Sequence, residues 1–138
     1  MRFMIAVRAS KESEAGVAPS ERLLAQMGKY HEELQKAGVL LDANGLKPSS
    51  EGWLIHYSGE QRHVTDGPFT ETKELIAGYT IIQVKSREEA LAWASRFPNP
   101  ALEGGEAMVE VRPLFELEDF GHGDAVQHLR QLGTATNK

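Results

Sequence analysis

Cysteine is absent from all 138 residues, so disulfides, thiolate nucleophiles and cysteine-based metal frameworks are excluded. The same absence suits a reducing compartment, and a cytoplasmic location is the expectation. Long apolar runs are missing too. The N-terminal "MRFMIAVRAS" has a short apolar stretch flanked by arginines, too short for a membrane span or a signal core. No excess of basic charge is present either: a net charge of −5 and a pI near 5.5 argue against a nucleic-acid partner, which needs clustered Lys and Arg. Phosphate-cradling glycine loops, nucleophile elbows, internal repeats and low-complexity segments are all lacking. Neither a cofactor nor a resident metal is therefore expected. What remains is a chain of 41% hydrophobic residues, enough to bury the core of one domain.

Hydrophobic periodicity divides the chain into short elements. Arg2 to Val7 is apolar on both alternating faces and reads as a strand buried on two sides. A polar loop, "RASKESEAGVAPS", leads to a helix opening at Pro19 or Ser20 and running to about Ala37, where Gly38 stops it. Its apolar stripe is Leu23, Leu24, Met27, Tyr30 and Leu34. Val39 to Asp42 reads as a second strand, followed by the turn-rich "ANGLKPSSEG".

The segments "WLIHY" and "QRHVT" flank a Gly59-Glu60 turn, which predicts a hairpin pairing Ser58 with Gln61, His56 with His63 and Ile55 with Val64. Tyr79 to Val84 and "AMVEVRPLFE" are further strands. Between them, Ser86 and Glu89 have the spacing of a capping box, opening a helix whose buried face is expected from Ala90, Leu91, Ala94 and Phe97 and which ends at Pro98. In the tail after Gly121, Asp124 to Leu132 has the pattern of one short helix.

Strand, helix, strand, extra hairpin, strand, helix, strand is the split βαβ order of a ferredoxin-like α+β sandwich. Both helices then cover one sheet face. Because three strands are apolar on both sides, the other face is expected to expose a large apolar patch, and a second copy packed sheet to sheet is the economical cover. A homodimer follows as the expected assembly.

Few residues are placed for chemistry. At about 100° per residue, His31 lies about 40° from Met27 and about 60° from Leu34, inside the apolar stripe. Asp66, extended from the hairpin register, shares a face with Ile55 and Val64. If the two meet, the carboxylate fixes the imidazole tautomer and leaves the other nitrogen free for general acid–base work. The same placement also fits a core histidine satisfied by Asp66 or by a backbone carbonyl. Asp66 opens the stretch "DGPFTETKE", in which Gly67-Pro68 makes a stiff corner, Phe69 is expected to anchor it in the core, and Glu71, Lys73 and Glu74 form either a solvated turn or a rim selecting a polar substrate. His56 and His63 are near enough across the hairpin to share an ion, but no third ligand is evident from spacing. "ELEDF", Glu116 to Phe120, is either a solvated strand exit or an acidic docking patch.

The stretches "KYHEELQKAGVLLDANGLKP", "TDGPFTETKELIAGY", "VKSREEALAWASRFP" and "VEVRPLFELEDFG" resemble the YCII-related proteins, in particular the branch named for its DGPF motif. The similarity spans Met1 to about Gly121, which leaves residues 122–138 as a tail outside it. The resemblance implies a ferredoxin-like dimeric α/β barrel and a site built around a histidine and an aspartate, carried here by His31 and Asp66. A family relative removes chloride from a chlorinated hydroxyquinol, and members of the branch are often encoded beside sigma factors. Two functions follow as expectations. One is a small-molecule-binding protein or cofactor-independent lyase using His31 and Asp66, with Glu71, Lys73 and Glu74 at the mouth. The other is a non-catalytic, ligand-responsive or protein-interaction module linked to a sigma factor.

Overall fold

The sequence's alternating apolar runs assemble into a four-stranded antiparallel sheet in the computed structural model, which describes residues 1–71, 74–101 and 104–133. Strand β1 (Arg2–Arg8) sits in the middle, flanked by β5 (Ile76–Gln83) and β6 (Val109–Pro113), and β2 (Leu40–Gly45) pairs outside β5. The spatial order β2-β5-β1-β6, with the hairpin β3 (Trp53–Ser58) and β4 (Gln61–Asp66) inserted between β2 and β5, is the split βαβ arrangement that the element order suggests. No helix among the described residues is long and apolar enough to cross a membrane.

Helices α2 (Glu21–Lys36) and α3 (Arg87–Ser95) share one sheet face. Phe3 and Ile5 from β1, Ile82 from β5, Tyr30 and Leu34 from α2, and Ala90 and Ala94 from α3 form a single buried cluster with Val39 and Val84. Ser20 caps α2 by accepting from the Leu23 amide at 3.1 Å, satisfying one of the amides a helix start leaves unpaired. Ser86 does the same for α3 through Glu89. The Glu89 carboxylate, however, accepts from the Lys85 amide, one residue before the position a capping box requires.

Leu91 was expected in the α3 core face and is instead 61% exposed. Ala90, Trp93, Ala94 and Phe97 recur at helical spacing and take that face, and Leu91 points about 100° away from Ala90. The polar loop before α2 holds a further short helix, α1 (Lys11–Glu14), with a Ser10–Ser13 capping box.

The sheet face away from the helices is not the broad apolar patch its strands suggested. Ala6 is buried and Met4, Tyr79 and Ile81 are half-buried, while the flanking strands place polar groups beside them. Tyr79 Oη donates to Asp42 and accepts from Asn44, and Arg8 meets Glu110 at 2.7 Å. A register shift between Leu40 and Asp42 sets Asp42 and Asn44 on this side. The C-terminal segment is tethered at the start of β1, where the Arg2 guanidinium donates to both Glu116 oxygens and to the Phe115 carbonyl. A 3-10 turn at Leu117–Phe120 and helix α4 (Asp124–Gln131) follow, with Leu117 and Val126 buried. The "ELEDF" carboxylates are engaged internally: Glu116 by Arg2, Glu118 by Arg130 at 3.6 Å, and Asp119 by the Glu116 amide.

Tyr30 ties the two helices together by donating to the Trp93 carbonyl at 2.7 Å. Burial pushes its hydroxyl pKa from 10.0 up to about 12, against the lowering effect of Arg96 and with a small push from Glu33. The folded chain therefore keeps this proton where the unfolded chain has lost it. Its contribution to stability is complete below pH 10.0 and is lost as pH rises towards about 12. Denaturant unfolding across that window should show a steeper loss of stability in the wild type than in Tyr30→Phe; equal slopes would contradict this.

Candidate functional site

A cavity of about 380 Å³ lies between the first half of α2, the adjoining ends of β2 and β5, and the chain leaving α3. Leu23, Leu24 and Met27 from the α2 stripe form one wall, and Phe97 and Pro100 form another. The α2 residues among them are ones that core packing does not consume: Tyr30 and Leu34 further along α2 are buried, whereas Leu24 is half exposed. Gly78 belongs to the floor. A Cβ there would stand 3.0 Å from the Asn44 carbonyl, so its lack of a side chain lets β2 and β5 approach.

His31 enters this cavity from α2, and Thr80 enters from β5. The imidazole Nδ1 is 2.7 Å from the Met27 carbonyl, one helical turn back, and Nε2 is 2.8 Å from Thr80 Oγ1. A carbonyl oxygen only accepts, so Nδ1 carries the hydrogen, and in the neutral ring Nε2 accepts from the threonine hydroxyl. The tautomer is thus set by the helix backbone. Protonation of Nε2 would reverse the second bond, with Nε2–H donating to Thr80. Phe97 meets the ring edge-on at 6.2 Å, and Tyr30 does so at 5.4 Å, which shields it from solvent on two sides. Such a site offers an apolar wall, one imidazole of defined tautomer and one hydroxyl.

Asp66 is placed elsewhere. It pairs with Trp53 at the root of the β3–β4 hairpin, is exposed, and does not line the cavity. The expected bond to His31 does not form within the chain, because both ring nitrogens already have partners. Of the two arrangements open from sequence, the ring satisfied by a backbone carbonyl is the one observed. Thr80 lies 49 positions from His31 and was not singled out by sequence reasoning. Its signal was a threonine in the largely apolar run "GYTIIQV", since a buried hydroxyl needs a partner.

The DGPF corner has a mechanical role. Gly67 packs so tightly on Ser49 that an added Cβ would lie 1.8 Å from its carbonyl oxygen. The Gly67 amide donates to the Gly52 carbonyl, and the Phe69 amide donates to Ser49 Oγ. Ser49 in turn donates through its own amide and hydroxyl to the Glu14 carboxylate. Phe69 is half-buried and lies outside the main core cluster, so it does not anchor the corner there as expected. Glu71 and Glu74 are exposed and do not line the cavity. Lys73 lies outside the described residues. His56 and His63 face each other in the expected register, and among the described residues no third histidine or carboxylate joins them in a metal-sized group.

Comparison with known proteins adds kinship to this geometry. A family model described as the YCII-related domain matches residues 1–118. An uncharacterized protein of Rhizobium meliloti (strain 1021) is 33% identical over 94 residues, covering 68% of this chain and 74% of that protein. The solved structure of a 5-chloro-2-hydroxyhydroquinone dehydrochlorinase from Burkholderia phenoliruptrix, in complex with 2,5-dihydroxybenzoquinone, is similar at 14% identity with a TM-score of 0.46, covering 84% of this chain and 95% of that one.

Proposed function

This chain belongs to the YCII-related family, and from that premise we propose that it binds a small, largely apolar molecule between α2 and β5 and acts on it by proton transfer through His31. The observation that carries this reading is the imidazole of defined tautomer at the wall of an apolar cavity, with Nδ1 held by Met27 and Nε2 facing Thr80. A volume of about 380 Å³ is at the small end for ligand sites and suits a single substituted ring. Lyase chemistry fits the available groups. As the Thr80 hydroxyl turns its hydrogen away, Nε2 receives a proton from an acidic hydroxyl or carbon of the substrate, and a leaving group departs with its bonding pair, so no thiol or oxidant is required. Thr80 acts as a positioning residue that holds Nε2 towards the cavity.

Asp66 has no orienting role in this reading, because the Met27 carbonyl fills it. Glu71 and Glu74 are left as solvated charges of the neighbouring segment. A second copy over the sheet face away from the helices, closing a dimeric α/β barrel, belongs to the same proposal and is supported by Met4 and Ile81 being only half covered there. Docking on a protein partner through Glu116–Phe120 has less support, since its three carboxylates are engaged within the chain.

Chlorohydroquinone is a suitable probe, since loss of a proton and chloride from its keto tautomer yields a quinone without any redox partner. Millimolar probe should shift the His31 ring resonances by NMR, and chloride release should fall about 10²- to 10⁴-fold in His31→Gln. Thr80→Ser should behave like the wild type, while Thr80→Val should displace the pH–rate profile. An unmoved His31 resonance at saturating probe would defeat the binding proposal. Binding without chloride release in the wild type would defeat the proton-transfer step for this substrate class.

A further inference from the structure

Four residues that line the His31 cavity, Val7, Pro19, Leu23 and Pro100, also line a second hollow of about 840 Å³. It lies between α1, the end of β1 and the chain from Asn99 to Met108 that returns to the sheet. The two hollows adjoin across those shared residues. A ligand of one ring, seated at His31, leaves the larger hollow empty.

The lining of the second hollow says what would fill it. Val7, Val17, Leu23 and Met108 give it an apolar surface. Val17 is 51% and Met108 65% exposed, although both stand on ordered backbone: the Val17 amide donates to the Glu12 carbonyl, and the Arg8 amide donates to the Met108 carbonyl. The neutral polar groups are already occupied. Ser10 and Ser13 cap one another, and Asn99 joins the Gly105 carbonyl to the Ala101 amide. Arg8 meets Glu110 at 2.7 Å. Glu12 and Glu106 also line the hollow, and neither has an ion pair among the described residues. The charge left over is negative. Methylenes ending in a cation match such a surface, as lysine stems lie along apolar ground with the ammonium in water, whereas an anionic end would face like charge.

We propose that the second hollow is the tail subsite of the His31 site, and that the substrate has two parts: a ring at His31 and an alkyl chain ending in an amine. The chain lies along Val7, Leu23, Val17 and Met108, and its ammonium is attracted by Glu12 and Glu106. This rests on the ring-binding reading of the His31 cavity and extends it.

NMR titration of the full chain tests it, following the His31 ring and the amides of Val17 and Met108. The probes are chlorohydroquinone and derivatives whose ring carries alkyl chains of graded length ending in ammonium or carboxylate. The best ammonium chain should bind at least about tenfold more tightly than the bare ring, move all three signals, and lose part of that gain at high salt. The carboxylate chain of equal length should gain nothing. In Glu12→Gln/Glu106→Gln the ratio of carboxylate-chain to ammonium-chain Kd should fall towards one. If the bare ring moves His31 and no chain improves binding, the tail subsite is overturned and ring binding stands. Chains that bind equally with either end group overturn the amine assignment. An ammonium chain that moves Val17 and Met108 but not His31 shows that the hollows are separate, which overturns both readings, as does the absence of any shift with every probe.

Discussion

Gly67→Ala is expected to lower the free energy of unfolding by about 3 kcal/mol, the upper end for overpacking, and the melting temperature by roughly 10 °C. The reason is steric. The new methyl would stand 1.8 Å from the Ser49 carbonyl oxygen and 2.6 Å from its carbon, and neither is the movable end of a side chain. Either the 3-10 turn at Ser49–Glu51 or the start of the 67–71 segment must shift. Both the Gly67 amide bond to Gly52 and the Phe69 amide bond to Ser49 Oγ then lose their geometry, and the Glu14 latch behind Ser49 loses its fixed partner. Gly52→Ala is the control. Its methyl would meet Ser49 at 3.7 Å, an ordinary contact, and its cost should stay below about 1 kcal/mol. Thermal and urea unfolding of the two variants check this, and a Gly67→Ala protein within experimental error of the wild type would mean that the corner is not the close-packed latch described.

Leu34→Ala should cost about 3–4 kcal/mol, within the range for deleting a fully buried leucine. Leu34 is 0% exposed and packs among Phe3, Ile5, Tyr30 and Ile82, where sheet and both helices converge. Removing its isobutyl group leaves a hole that rigid neighbours on two layers fill only in part. Leu24 lies ten residues earlier on the same helix and is 51% exposed at the cavity wall. Leu24→Ala should therefore cost less than about 1 kcal/mol while enlarging the cavity and weakening probe binding. Equal destabilisation by the two substitutions, measured from urea midpoints at constant m-value, would show that α2 does not divide into a core half and a pocket half.

That division of α2 was half legible beforehand. The stripe of Leu23, Leu24, Met27, Tyr30 and Leu34, with His31 inside it, is written in the helical period, as is its start at Ser20 and its end near Gly38, where the chain turns with φ +75°. Which stretch of the stripe meets the core and which borders a cavity depends on the strands beneath it. Likewise, Trp93 displaced Leu91 from the expected α3 face because the sheet selects the side of a short helix that buries the larger ring. Helix α1 was missed because its four residues have no apolar period; only its Ser10–Ser13 capping betrays it.

The sequence by itself determined the features set within a few residues of one another. These are the capped helices, the order of strands, and the hairpin register from Ser58–Gln61 to Trp53–Asp66, which a two-residue turn and strict alternation leave no freedom to change. Tertiary structure alone decided the partners that lie far apart in the chain. His31 was placed correctly on its helix, yet its partner proved to be Thr80 and its own helix's carbonyl at Met27, while Asp66 was carried away on a ribbon. Local backbone preferences act over one turn of helix or one pair of strand residues, whereas the choice between two distant polar groups follows from which strand the sheet lays beneath the helix.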